Sequence, residues 1–139
     1  MTNIEPMKRK IIVFNSVLFV LLFGLISFNK EYLRPSMAHL PFAGVLVGSL
    51  PNFLAAFVIS LASVYAVLTR SPKHGRLIVY AVSILVCAGL TVEELMPFWG
   101  ASTYFDPFDI LASGIGSFLA MLGYELAVRR RRKKQKEDS

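Results

Sequence analysis

The sequence predicts an all-α fold, a polytopic membrane bundle of four transmembrane helices, on three observations. Of its 139 residues, 55% are hydrophobic. The apolar residues gather in long blocks, and the basic residues fall at alternate block ends. The blocks cover about 11–28, 42–68, 77–92 and 109–128. A hydrocarbon core of about 30 Å takes roughly 20 helical residues, so each block is a candidate span. None shows the period-two alternation of a membrane barrel, which leaves helices to satisfy the backbone in lipid. No repeat or linker divides the chain, so residues 1–128 read as one transmembrane domain and 129–139 as a basic tail.

The first block follows "MKRK", the charged start of a secretory signal, but it ends in "SFNKEYLRP" without a small-x-small cleavage site. A retained first helix is expected. The second block carries Pro41, Gly44, Gly48 and Pro51. An interior proline removes an amide donor and crowds the preceding turn, so a break near Pro51 is expected. Residues 41–50 are then either the outer turns of a kinked helix or a re-entrant segment forming a pocket wall. The third block holds Cys87, the only cysteine, so no intrachain disulfide can form.

The fourth block has a strong start. Asp106 suits the N-cap, Pro107 the first helical position and Asp109 the third, where its charge favours the helix dipole. Ala112, Gly116, Ala120 and Gly123 form a stripe of small residues that admits a close neighbour, and Ala55, Ala62, Ser63 and Ala66 offer a facing surface. Glu125 stands four residues before Arg129, the favourable order for an ion pair along a helix.

Charge assigns the sides. Of the 15 basic residues, 13 precede the first block, separate the second from the third, or follow the fourth. Lys30 and Arg34 alone fall on the other side. The positive-inside rule therefore predicts cytoplasmic termini and outward-facing loops at 29–41 and 93–108. The basic tail would also attract anionic lipid headgroups, at about 1 kcal/mol per basic residue near the surface. It has no interleaved aromatics for stacking bases, so no nucleic-acid partner is expected.

Glu93 and Glu94 close the third helix, where negative charge opposes the dipole, so they need a compensating partner. Lys30, Arg34 and His39 are candidates in the other outward loop. Together with Asp109 and His39, the glutamates form a candidate outward site with two readings: an ion-pair cluster pinning helix ends, or a ligand-binding or proton-handling site. No Gly-x-Ser-x-Gly or His-Glu-x-x-His motif occurs, and His39 and His74 are expected on opposite membrane faces, so neither catalytic residues, metal nor cofactor is assigned. A broken second helix would favour a small transporter or transporter subunit as the alternative.

The stretch from Glu94 to "DILASGIG" resembles the VanZ-like family of small bacterial membrane proteins, whose signature is a glutamate closing one helix, a polar loop, then Asp-x-x-Ala-Asn-x-x-Gly. Glu94, Asp109, Ala112 and Gly116 match it, with Glu93 as the alternative glutamate and His39 in the place of a histidine opening the second helix. Ser113 replaces the asparagine, Pro97 stands where a glutamine is usual, the loop arginine is absent, and Ser36 stands where a lysine precedes the histidine. The resemblance implies a helical bundle in a bacterial cytoplasmic membrane. The family takes its name from a low-level teicoplanin resistance factor, and together with the outward acidic cluster the resemblance motivates an expected envelope lipid or glycopeptide-related ligand and a contribution to low-level glycopeptide resistance.

Overall fold

The computed structural model describes residues 4–96 and 106–139, and within them the chain is helical without a strand. Helix α1 covers Ile4–Phe28, α2 Arg34–Met37, α3 Pro41–Arg70, α4 Gly75–Leu95 and α5 Pro107–Glu137. Four helical segments are long and apolar enough to cross a membrane, with α1 and α2 forming one of them. The chain is a multi-pass membrane protein. The connection 97–105, including Pro97, lies outside the described residues.

The expected loop after the first block is instead helix. A π-helical turn, Asn29–Leu33, joins α1 to α2, and the Arg34 N–H donates to the Asn29 carbonyl five residues back. Pro35 explains the widening, because its ring would crowd the carbonyl of Glu31 in a regular α-turn. The chain then turns over Ala38–Leu40 and re-enters the bundle at Pro41, the first position of α3.

The expected break in the second span is absent, for α3 runs unbroken through Pro51. Pro51 cannot donate to the carbonyl of Val47, four residues earlier. That carbonyl accepts a hydrogen bond from Asn29 Nδ2 at 3.1 Å, and the neighbouring Gly48 carbonyl accepts one from Arg34 Nη2 at 2.8 Å. Asn29 is fully buried. A side chain from the preceding hairpin arm therefore supplies the donor that proline lacks, and the helix continues. At its far end, Ser71 adopts the left-handed conformation (φ 48°, ψ 52°) and donates its N–H to Val67, while Arg131 Nη1 donates to the Leu68 carbonyl at 2.8 Å. Both contacts occupy carbonyls that a helix C-terminus leaves free.

Helix α3 is the centre of the bundle, packing against α1, α4 and α5. Helices α3 and α5 pack directly on each other, and α4 packs against both. Val64, Val67, Val79 and Tyr124 make the buried apolar cluster near one end, with Leu61, Leu68, Met121 and Val128 around it. Gly116 marks the closest approach of α5 to α3: a Cβ there would lie 2.5 Å from the Phe53 carbonyl oxygen and 3.0 Å from the Phe57 nitrogen. Ala120 is fully buried, and Ser113, Ser117 and Tyr124 join Gly116 on the inner face. Ala112 is half-buried and Gly123 exposed, with open space where its Cβ would stand. On α3, the surface met by Gly116 is Phe53–Phe57 with Ala56, while Ala55, Ser63 and Ala66 are only half-buried. The expected stripe thus holds at Gly116 and Ala120, with Ala62 buried on α3, and fails at its last position, where large Tyr124 turns inward and small Gly123 does not.

Among the described residues, α1 packs on α3 alone of the long helices. Phe14 stacks on Tyr65 with ring centroids 3.8 Å apart, while Val20 and Phe23 are more than 70% exposed and suit contact with lipid. Helix α5 does not stop at residue 128, since the basic tail continues it to Glu137. Glu125 pairs with Arg76 of α4 at 2.7 Å and accepts from the Tyr80 hydroxyl at 3.2 Å. The expected partner Arg129 is exposed, and the facing helix places Arg76 closer to the carboxylate.

Candidate functional site

At the end of the bundle that carries the α2–α3 turn, the helices splay around an open cavity of about 830 Å³. Its long wall is the first three turns of α3, where Gly44 and Gly48 contribute no side chain and Pro51 and Asn52 form the floor. The expectation of a pocket wall at 41–50 therefore holds in a different form: the segment lines a cavity and is regular helix. Lys30 from the π-turn, Arg34 from α2, and Glu93, Glu94, Asp106 and Asp109 from the end of α4 and the start of α5 all line the cavity.

These acids differ in what they already hold. Glu94 Oε1 accepts the Asp106 N–H at 3.0 Å, so the glutamate at the unfavourable end of α4 faces the positive end of α5. Asp106 is the N-cap, its Oδ1 accepting the Phe108 N–H at 2.9 Å, and the Asp109 N–H donates to the Asp106 carbonyl at 3.1 Å. Pro107 has no N–H. The free amides of the α5 start are thus taken up by protein oxygens. Asp109 Oδ1, in contrast, is buried without a hydrogen-bond partner, and Glu93 is exposed.

Of the bases, Arg34 spends one Nη2 hydrogen bond on the Gly48 carbonyl and keeps further donors, while Lys30 is exposed. Among the described residues, the ion pairs are Arg76 with Glu125 and Lys133 with Glu137, and neither touches the cavity. Opposite charges share this cavity without closing on each other.

The structure brings Glu93, Glu94 and Asp109 together as the sequence suggested, and leaves His39 out. His39 sits exposed in the α2–α3 turn, where its neighbours Ala38 and Leu40 line the cavity instead. Lys30 and Arg34, expected as ion-pair partners of the glutamates, line the same cavity without pairing with them. Asn29 was missed, and the signal for it was an orphaned carbonyl: a proline inside an apolar block demands a donor, and an asparagine ends the block before it. Among the described residues, no group of three or more His, Cys, Asp or Glu side chains is placed to hold a metal ion. No protein-family model, curated protein or solved structure matches this chain.

Proposed function

We propose that this protein holds the polar head of a cell-envelope amphiphile in the cavity at the α2–α3 end of its bundle. The observation that carries it is the set of charged side chains lining a cavity of about 830 Å³ without an ion pair among them, on a helix bundle with lipid-facing flanks. The volume lies within the range of about 300–1,000 Å³ typical of small-molecule sites. Charged groups at membrane depth are costly, and they are retained chiefly where they serve a ligand or a path. The alternative of a transporter drew on a broken second helix, and continuous α3 removes that motive.

The distribution of basic residues supports a bacterial cytoplasmic membrane topology with both termini inside and the cavity outside. Kinship with VanZ-like proteins is part of the proposal and stands on Glu94, Asp109, Ala112 and Gly116 alone. It adds teicoplanin as a probe: expression of the wild type in a sensitive host is expected to raise tolerance slightly.

The direct test is the lipid that stays with the full chain through detergent washing. The Lys30→Gln/Glu93→Gln variant changes two exposed side chains, so membrane abundance and melting temperature are expected to stay at wild-type values while tightly held amphiphile falls several-fold. An unchanged lipid content would overturn the proposal. Parallel loss of lipid and abundance would assign these side chains to folding.

A further inference from the structure

The chemistry of the cavity also specifies its guest. Resting on the proposed amphiphile site, we infer that the headgroup it takes carries a phosphate and a primary ammonium together. The bases and acids sit on different elements: Lys30 and Arg34 belong to the hairpin arm formed by α1, the π-turn and α2, whereas Glu93, Glu94, Asp106 and Asp109 belong to α4 and α5. A ligand with one kind of charge satisfies one set and leaves the other opposed. A purely anionic head meets four carboxylates against two bases. A purely cationic one leaves Lys30 and Arg34 without an anion.

Hydrogen bonding refines the assignment. A helix N-terminus ordinarily offers free amides to a phosphate. Here Glu94 and Asp106 occupy those of α5, so that position is closed to an anion. The phosphate therefore goes to Lys30 and to the guanidinium donors of Arg34 not used by Gly48. The ammonium goes to Glu93 and Asp109, the two acids of the cavity whose carboxylates accept no hydrogen bond among the described residues, whereas Glu94 and Asp106 each already accept one. Asp109 Oδ1 is buried and accepts no hydrogen bond, with the Ser49 hydroxyl beside the carboxylate donating to the Val45 carbonyl and Arg34 as the base that acts on it. A primary ammonium has three N–H donors to give, and a trimethylammonium has none.

The experiment is native mass spectrometry of the full chain in detergent. Phosphatidylethanolamine, phosphatidylcholine, phosphatidylglycerol and an aminoacylated phosphatidylglycerol are added, all with the same acyl chains. Both primary-amine lipids are expected to bind at least about fivefold more tightly than the other two, a difference of about 1 kcal/mol. Their ranking against each other identifies the source of the amine. Glu93→Gln should reduce the preference to about twofold or less while leaving phosphatidylglycerol unchanged, and Lys30→Gln should weaken the phosphate lipids together. Equal binding of the four lipids to the wild type, still lowered by Lys30→Gln, would overturn the headgroup assignment while keeping the amphiphile site. Binding that neither substitution alters would overturn both.

Discussion

Asn29 and Pro51 form a pair whose members make sense only together. Pro51 takes a donor out of α3, and Asn29 Nδ2 returns one to the Val47 carbonyl across 3.1 Å. An unpaired buried carbonyl costs about 1–3 kcal/mol, somewhat less in a bilayer. Asn29→Leu, which keeps the branching and the number of side-chain heavy atoms, is therefore expected to destabilise the bundle by about 1–2 kcal/mol in detergent unfolding. In a Pro51→Ala background the restored backbone amide donates to the Val47 carbonyl, so the same substitution should cost much less. A double-mutant cycle with no coupling would show that the two residues act independently. The pair also bears on the cavity, since Asn29 directly precedes Lys30 and Pro51 lies on the floor beneath it.

At the scale of elements, the contact between α3 and α5 is governed by a single missing methyl group. Gly116→Ala places a Cβ against backbone atoms of α3, which cannot rotate away as a side chain would. The expected cost is about 1–3 kcal/mol. Gly123→Ala meets open space, and replacing glycine inside a helix gains up to about 1 kcal/mol, so the two substitutions should move the melting temperature in opposite directions. Equal effects would mean that Gly116 is not the point of closest approach. Ser60, Ser83 and Ser117 belong to the same logic. Their hydroxyls are buried and have no partner in the structure, so they serve the packing by being small. The start of α5 is likewise built by two helices, since Glu94 of α4 supplies a cap that Asp106 alone does not provide.

For the whole molecule, the first expectation to check is sidedness. With Cys87→Ser as the background, a membrane-impermeant maleimide applied to intact cells should label Ser36→Cys and spare Ser139→Cys until the cells are opened; the reverse pattern would invert the proposed topology. The spans were legible in the sequence because hydropathy accumulates along a chain without reference to neighbours. The N-terminal cap of the last helix was legible too, since Asp106, Pro107 and Asp109 act within one turn. Facing surfaces were legible only in part, at Gly116, Ala120 and Ala62. Whether Gly123 or Tyr124 turns inward, and whether Glu125 reaches Arg129 or Arg76, depends on where another helix stands. The cavity lay between these cases, with its acids visible as a rule broken at the end of α4 and its bases, Lys30 and Arg34, visible as partners in an apparent loop at 29–41 that is helix. Lys30 and Arg34 travel on a hairpin arm whose long helix, among the described residues, leans on α3 alone of the long helices, while the acids arrive with α4 and α5. Synthesis runs from the first to the last, so a nascent chain carries its cations two long helices before their counterparts exist. A chain truncated before the end of α4 would hold Lys30 and Arg34 with none of the carboxylates that line the finished cavity beside them.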